Sequence, residues 1–154
     1  MAFGDSKELY KKMIKYEQFE HQADVGIRGY GEVLEEAFEN GARAMFNVAV
    51  NLEKVESKKE IKIECEAPNL EELFIEWLNK LLSEAGIENL VFSDFKIREI
   101  KKVNSGYKLL GLARGEKLNL EKHEPKVEVK AATYSQLKVE KKENQYIAQT
   151  IIDV

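Results

Sequence analysis

The amino-acid sequence predicts a single α+β domain in which two main helices pack on an antiparallel or mixed β-sheet. Two segments, 32–50 and 70–85, carry apolar residues at the three- and four-residue spacing of a buried helix face. Several shorter segments alternate apolar and polar residues with a period of two, as half-buried strands do. The chain has 154 residues, 44% of them hydrophobic, which is enough for one substantial core and favours one domain over two.

The beginning of the chain predicts a short helix over residues 5–13, followed by two strands. We expect the first strand over residues 16–19, an interruption at HQAD, and a second strand in VGIRGYG. The glycines of this second strand, Gly26, Gly29 and Gly31, do not follow the dinucleotide-binding order G-x-G-x-x-G, and no P-loop lysine follows them. They are more typical of a bent strand or of a place where a neighbouring backbone comes close.

The two helices carry local signals of their own. Gly41 lies inside the first helix, where it lowers the helix propensity and indicates close packing against a neighbour. Asn69 is placed to cap the second helix, and Glu72 follows three residues later, as a capping box requires. Gly86 suits the left-handed position after a helix, so we expect the second helix to end just before it. Trp77 lies on the apolar stripe of this helix and is expected to be among the most protected residues.

The other segments predict strands and hairpins. EIKIECE alternates in the manner of a half-buried strand, with Cys65 pointing inward as an inert thiol. FKIREIKKV and YKLLGLARGE flank NSG, and KVEVKAATYSQLKVE and QYIAQTIIDV flank KKEN, so both pairs predict hairpins. LNLEKHEP resembles an irregular charged loop, and we expect its His123 to be a solvated surface residue.

Composition narrows the classes of function. The net charge of -4 argues against direct nucleic-acid binding, which usually needs a basic surface. No apolar run approaches the ~18 residues of a membrane span, and the N-terminus lacks the apolar core of a signal peptide, so we expect a cytoplasmic protein. One cysteine and two histidines leave no thiolate-rich zinc site and no zinc motif of known spacing.

Acidic residues near both ends of the domain are the main functional candidates. Asp24 follows His21 by three positions, and Asp153 is followed directly by Val154 after an apolar strand. Asp24 can be a turn former, a mimic of a helix cap, a catalytic acid or a metal ligand. If the two aspartates and the Val154 carboxylate meet, their repulsion requires a cation or a lysine or arginine side chain between them, and all-oxygen ligands select a hard ion such as Ca2+ or Mg2+. Two unrelated surface aspartates remain the alternative on the residues alone.

Three segments together resemble the archease family. They are FEHQADVGIRGYGEVLEEAFENGARAMF, LEELFIEWLNKLL, and ARGEKLNLEKHEPKVEVKAATYSQL with the terminal IIDV. The resemblance covers residues 16–154 and leaves residues 1–15 outside as an N-terminal arm. It is specific because H-x-A-D-V-G, K-A-x-T-Y and a final D-V occur in order. One departure is Ser135, which stands where the family usually has a histidine, so no role of that histidine is carried over.

The resemblance implies a non-catalytic activator with a metal site. Members of the family promote guanylylation and multiple turnover of the RtcB-type tRNA-splicing ligase, and the family has also been linked to the specificity of a tRNA cytosine-5 methyltransferase. The family's metal ligands fall on Asp24, Asp153 and the C-terminal Val154, with Ca2+ as the expected cation and Mg2+ or Mn2+ as alternatives. Its functional lysine falls on Lys130, and His21 is expected to orient the Asp24 turn.

Three functions follow from these residues and this resemblance. The first is activation of the ligase through an acidic, metal-bearing tip. The second is a chaperone or specificity factor for the methyltransferase. The third, a metal-dependent hydrolase, lacks a recognisable pair of nucleophile and base in the sequence.

Overall fold

The computed structural model describes residues 14–154, in which two helices lie between two antiparallel sheets. The predicted α+β class and single domain are confirmed, and every strand pair among these residues is antiparallel. The predicted helix over residues 5–13 lies outside the described residues. The strands, in chain order, are β1 (Tyr16–His21), β2 (Asp24–Gly31), β3 (Lys59–Ala67), β4 (Leu90–Val103), β5 (Gly106–Lys117), β6 (Ala131–Ala132), β7 (Lys138–Lys142) and β8 (Gln145–Asp153).

The two sheets differ in how they are assembled. The first has the order β1-β2-β8-β6, and β7 also pairs with β8, so that its central strand is the last one in the chain. The second has the order β3-β5-β4. The first strand of the chain is two residues longer than predicted, since β1 continues to His21 and pairs it with Asp24. Because β1 ends at His21 and β2 begins at Asp24, the predicted interruption is reduced to a tight turn of two residues.

The first helix, α1 (Leu34–Ala49), is buried on almost every side. It packs against β2 and β8 of the first sheet and against β4 of the second, so it has two covered faces instead of the single apolar face that the sequence predicts. Its buried polar residues are therefore hydrogen-bonded. The carboxylate of Glu39 accepts from the Ile97 N–H at 2.8 Å, and the Asn40 amide donates to the Tyr30 carbonyl at 2.7 Å. Burial raises the pKa of Glu39.

Two glycines permit this packing. A Cβ on Gly29 would overlap the backbone of α1 at Ala37 and Gly41, so β2 and the helix approach at backbone distance. A Cβ on Gly41 would lie 2.6 Å from the ring of Phe74 on the second helix. The predicted close packing at Gly41 is confirmed, and the glycines of β2 serve packing.

The second helix, α2 (Leu70–Glu88), begins as predicted and ends later. The Asn69 side chain accepts from the Glu72 N–H at 2.8 Å, which confirms the cap. The predicted end before Gly86 is wrong, because the helix continues to Glu88 and Asn89 takes the left-handed position with φ 55°. Asparagine also tolerates this conformation. Trp77 is fully buried, as predicted, and its indole N–H donates to the Phe38 carbonyl at 3.0 Å.

Both predicted hairpins are present, but one predicted strand is not. The β7–β8 turn has Glu143 and Asn144 at φ 52° and 64°, the positive values that a two-residue hairpin turn favours. The segment KVEVKAATYSQLKVE was expected to form one strand, yet it holds only the short β6 and β7. Between them Gln136 has φ 51°, and the Ile151 N–H donates to the Ser135 carbonyl, so a bulge interrupts the regular pairing with β8.

The region predicted as a charged loop contains a buried histidine. A single helical turn, α3 (Leu120–His123), includes His123, which is only 1% exposed, so the expected surface position is wrong. The Asn119 N–H donates to Nδ1 of His123 at 2.9 Å, and Nε2 lies 3.0 Å from the Glu116 carboxylate. Since Nδ1 accepts, the neutral ring carries its proton on Nε2 and donates it to Glu116. No helix within residues 14–154 is long and apolar enough to cross a membrane.

Candidate functional site

The register of the first sheet brings the two candidate aspartates together. Val25 of β2 pairs with Ile152 of β8, so the next position along both strands places Asp24 opposite Asp153. Ile152 belongs to the hydrophobic core with the helices, and because successive side chains on a strand alternate, the two aspartates lie on the opposite face of the sheet. Asp24 is half-buried and Asp153 is exposed.

His21 extends this row by one strand. It pairs with Asp24 in the β1–β2 register, which places it on the same sheet face, and the turn between them has Gln22 at φ 51°. Its Nδ1 atom is buried and has no hydrogen-bond partner in the described part of the chain. The backbone pairing of the two strands therefore holds the turn, and Nδ1 does not make the predicted orienting hydrogen bond.

Lys130 reaches the same sheet end through its backbone. It directly precedes β6, and its N–H donates to the Asp153 carbonyl at 2.8 Å. Lys130 is also among the residues that line a groove between the ends of α1 and α2. Among residues 14–154, no ion pair joins Lys130 to either aspartate, and no lysine or arginine pairs with Asp24 or Asp153. Among the described residues, the sheet end is therefore locally acidic without a neutralising side chain.

The donor set at this sheet end fits a hard cation. Two carboxylates lie on adjacent strands, and the C-terminal carboxylate of Val154 follows Asp153 directly. Oxygen ligands of this kind suit Ca2+ or Mg2+. In the described region the side chains of histidine, cysteine, aspartate and glutamate form no group of three or more that would hold a metal by themselves. A cation at this sheet end would need an oxygen donor in addition to these side chains.

A second ionisable cluster lies around α3. The Glu116 carboxylate accepts from the Glu56 N–H at 2.8 Å and also contacts Lys122 and His123. The Glu56 N–H, with the lysine and the imidazole, holds the pKa of Glu116 at about 2. This cluster ties α3 to β5, and sequence reasoning missed it because its partners come from three separate segments.

Comparisons with known proteins give one family. The archease protein family model matches residues 16–154. A relative from Pyrococcus abyssi, named protein archease, is 50% identical over 143 residues, which is 92% of this chain and 100% of the relative. Another from Methanosarcina mazei, with the same name, is 41% identical over 140 residues, or 91% of this chain and 96% of the relative.

Two solved structures share the fold. The solution structure of Methanobacterium thermoautotrophicum protein 1598 superposes with a TM-score of 0.80 at 36% identity, covering 91% of this chain and 99% of that one. A crystal structure from Thermotoga maritima, described as an archease and possible chaperone, superposes with a TM-score of 0.53 at 19% identity, covering 88% and 94%. At that identity the second likeness concerns the fold alone.

Proposed function

The chain belongs to the archease family, and from that premise we propose that it is a non-catalytic accessory protein of an RtcB-type tRNA-splicing ligase. It would promote guanylylation and multiple turnover of the ligase through the acidic end of the first sheet, which we call the tip: His21, Asp24, Asp153 and Val154. The observation that carries the proposal is the strand register that sets Asp24 beside Asp153, next to the terminal residue. These are the positions where the family resemblance expects a metal.

A divalent cation at the tip would be held by Asp24, Asp153 and the Val154 carboxylate, with Ca2+ favoured over Mg2+ or Mn2+. Such a cation supplies positive charge for phosphate oxygens of the ligase's nucleotide. The chain's own contribution is positional, because paired strands hold the two aspartates at adjacent positions of one sheet face. The lack of a neutralising lysine or arginine in the described part of the chain favours a cation there.

Several groups support an accessory role over catalysis by the chain itself. Burial raises the pKa of the Cys65 thiol to about 12, so the thiolate that a nucleophile needs does not form near neutral pH. The described partners of His123 are Glu116 and the Asn119 N–H, and neither is a nucleophile. Lys130 has no ion pair within residues 14–154, so its ammonium can contact a partner's nucleotide or phosphate group.

The proposal is tested by ligase guanylylation with labelled GTP, with this protein present in substoichiometric amounts. The parent should raise the yield of guanylylated ligase and the number of turnovers. Asp24→Asn and Lys130→Ala should lose most of this enhancement, whereas Glu143→Gln, an exposed hairpin-turn change, should not. Parent-like enhancement by both Asp24→Asn and Lys130→Ala would exclude the tip and the neighbouring Lys130 as the working surface. Stimulation of a tRNA cytosine-5 methyltransferase with no effect on the ligase would favour the alternative role.

Metal binding is tested separately by calorimetry with calcium. Asp24→Asn removes one charge with little change of shape, and residues appended after Val154 move the terminal carboxylate away. Each change should weaken calcium binding, because the first replaces a charged carboxylate with a neutral amide and the second withdraws the terminal carboxylate. Unchanged affinity in both variants would place the site elsewhere.

A further inference from the structure

The shortest strand of the first sheet forms one border of the tip. β6 pairs with the end of β8, with Ala131 opposite Asp153 and Ala132 opposite Ile152. Directly before β6, the Lys130 N–H donates to the Asp153 carbonyl at 2.8 Å. Because β8 lies between β2 and β6, the end of β8 has a neighbouring strand on both sides. The position of β6 therefore affects Asp153, the terminal residue that follows it, and Lys130.

A side chain of α2 holds β6 from the side opposite β8. The Ala132 N–H donates to the Asn79 Oδ1 atom at 2.8 Å, and the Asn79 Nδ2 group donates to the Ala132 carbonyl at 3.2 Å. In a paired strand the N–H and C=O of one residue point to the same side, so those of Ala132 point away from β8. The Asn79 amide thus occupies the place of a further strand. Within residues 14–154, no other side chain forms a hydrogen bond with residues 130–132.

The fold fixes the Asn79 amide and makes its loss costly. Trp77 and Leu78, the two residues before it on α2, are fully buried, and the helix contacts β6 directly. Ala132 is only 6% exposed, so without the amide its N–H and C=O would stay buried and unpaired. Buried backbone groups without a partner are strongly unfavourable, and separation of β6 from β8 would expose both groups to water. A strand of two residues has few hydrogen bonds of its own to resist this separation.

We propose that Asn79 is a positioning residue of the tip, which holds β6 against β8 and thereby sets the places of Asp153, the Val154 carboxylate and Lys130. This inference rests on the proposed function, since it names the residue that orders the same tip. Asn79 acts through the backbone of Ala132 and not by contact with a cation or a partner. Groups that orient the ligands of a metal commonly affect its affinity nearly as much as the ligands do.

The first test measures calcium affinity by calorimetry in two variants of Asn79. Asn79→Ala removes the amide, and Asn79→Leu removes it while nearly keeping its shape, so that water has little room to replace it. Calcium affinity should fall about tenfold or more in both, as loss of a group that orients metal ligands does. Ligase stimulation should fall with it. The control is Gly41→Ala, which also destabilises the core because its Cβ meets the Phe74 ring, and it should bind calcium and stimulate the ligase as the parent does.

The second test is amide hydrogen exchange, which needs neither calcium nor ligase. The N–H groups of Lys130 and Thr133 donate to carbonyls of β8 at 2.8 and 3.0 Å. Both should exchange at least about tenfold faster in the Asn79 variants, because loss of two hydrogen bonds favours local opening of β6. The Lys58 N–H, which donates to the Gly115 carbonyl in the second sheet, should keep its rate relative to other amides of that sheet. A general loss of stability would instead accelerate both sheets together.

The outcomes separate this inference from the proposed function. Parent-like exchange at Lys130 and Thr133 in both Asn79 variants would mean that β6 stays paired without the amide, and the inference would be wrong. Equal weakening of calcium binding by Gly41→Ala would also overturn it, since stability alone would then explain the effect. A parent that neither binds calcium nor stimulates the ligase overturns the proposed function, whereas the exchange rates still decide whether Asn79 holds the end of the sheet in place.

Discussion

Replacing each helical glycine with alanine should change stability in opposite directions. Alanine is favoured over glycine inside a helix by about 1 kcal/mol, and this gain is available at Gly41 in α1 and at Gly86 in α2. A Cβ at Gly86 has no atom within 4 Å, so Gly86→Ala should keep the whole gain. For a domain of this size, about 1 kcal/mol raises the melting temperature by roughly 2–4 °C.

At Gly41 the new methyl group has no room. It would lie 2.6 Å from two ring carbons of Phe74, which is fully buried and packs on Phe38 with ring centroids 5.0 Å apart. The ring therefore cannot retreat without moving a second core residue. Overpacking of this kind costs about 1–3 kcal/mol, so Gly41→Ala should destabilise the fold by up to about 2 kcal/mol net.

The assay is chemical denaturation of the parent, both single variants and the double variant, followed by tryptophan fluorescence of Trp77. The two changes should add within about 0.5 kcal/mol, because they are on different helices and share no contact. Equal stabilisation by Gly41→Ala and Gly86→Ala would refute the packing argument, since it would mean that the Phe74 contact does not limit α1. A destabilising Gly86→Ala would refute the open position of that residue.

Three further perturbations follow from the hydrogen bonds and pKa values. Glu116→Gln should lower the free energy of unfolding by about 2 kcal/mol at neutral pH, as loss of charged hydrogen bonds does. Because folding lowers the pKa of Glu116 from 4.5 to about 2, this stabilisation is present above pH 4.5 and is lost as the pH falls through 2. Acid denaturation curves of parent and variant should therefore converge at low pH. Cys65, with a pKa of about 12, should react with iodoacetamide at pH 8 far more slowly than an unfolded control; equal rates would contradict its burial. Asn79→Ala removes a side chain that accepts from the Ala132 N–H at 2.8 Å and donates to its carbonyl at 3.2 Å, and should lower the unfolding free energy by about 2 kcal/mol; an unchanged denaturation midpoint would contradict this role.

Local elements were predictable because their causes lie within a few residues. The Asn69 cap depends on the Glu72 N–H three positions away, and the β7–β8 turn depends on two central residues that accept positive φ. The end of α2 was less predictable, since Gly86 and Asn89 both suit a left-handed position and only the contacts of the last turn decide between them. His123 was misplaced because its burial depends on Glu116 and Glu56, which no local pattern relates to it.

For the candidate site, the sequence likewise identified individual residues but not their arrangement in space. Asp24, Asp153 and Val154 were identified from their positions beside apolar strands and from the family resemblance, and Lys130 from the resemblance. Their meeting at one sheet end depends on the pairing of β2 with β8, strands from opposite ends of the domain. The groove that Lys130 lines was not predicted. Its walls come from two helices and from residues 125–130, and no local sequence pattern shows that these segments lie together.

The sequence by itself determined the class of the fold, the helices and hairpins, and the family. Periodicity, caps and turn residues act over one or two turns of chain, so they can be recognised from neighbours. Only the tertiary structure decided that α1 is covered on two faces, that Lys130 lies between tip and groove, and that His123 is internal. The reason is that burial and electrostatic environment are set by residues distant in sequence, and these come together only when the sheets close over the helices.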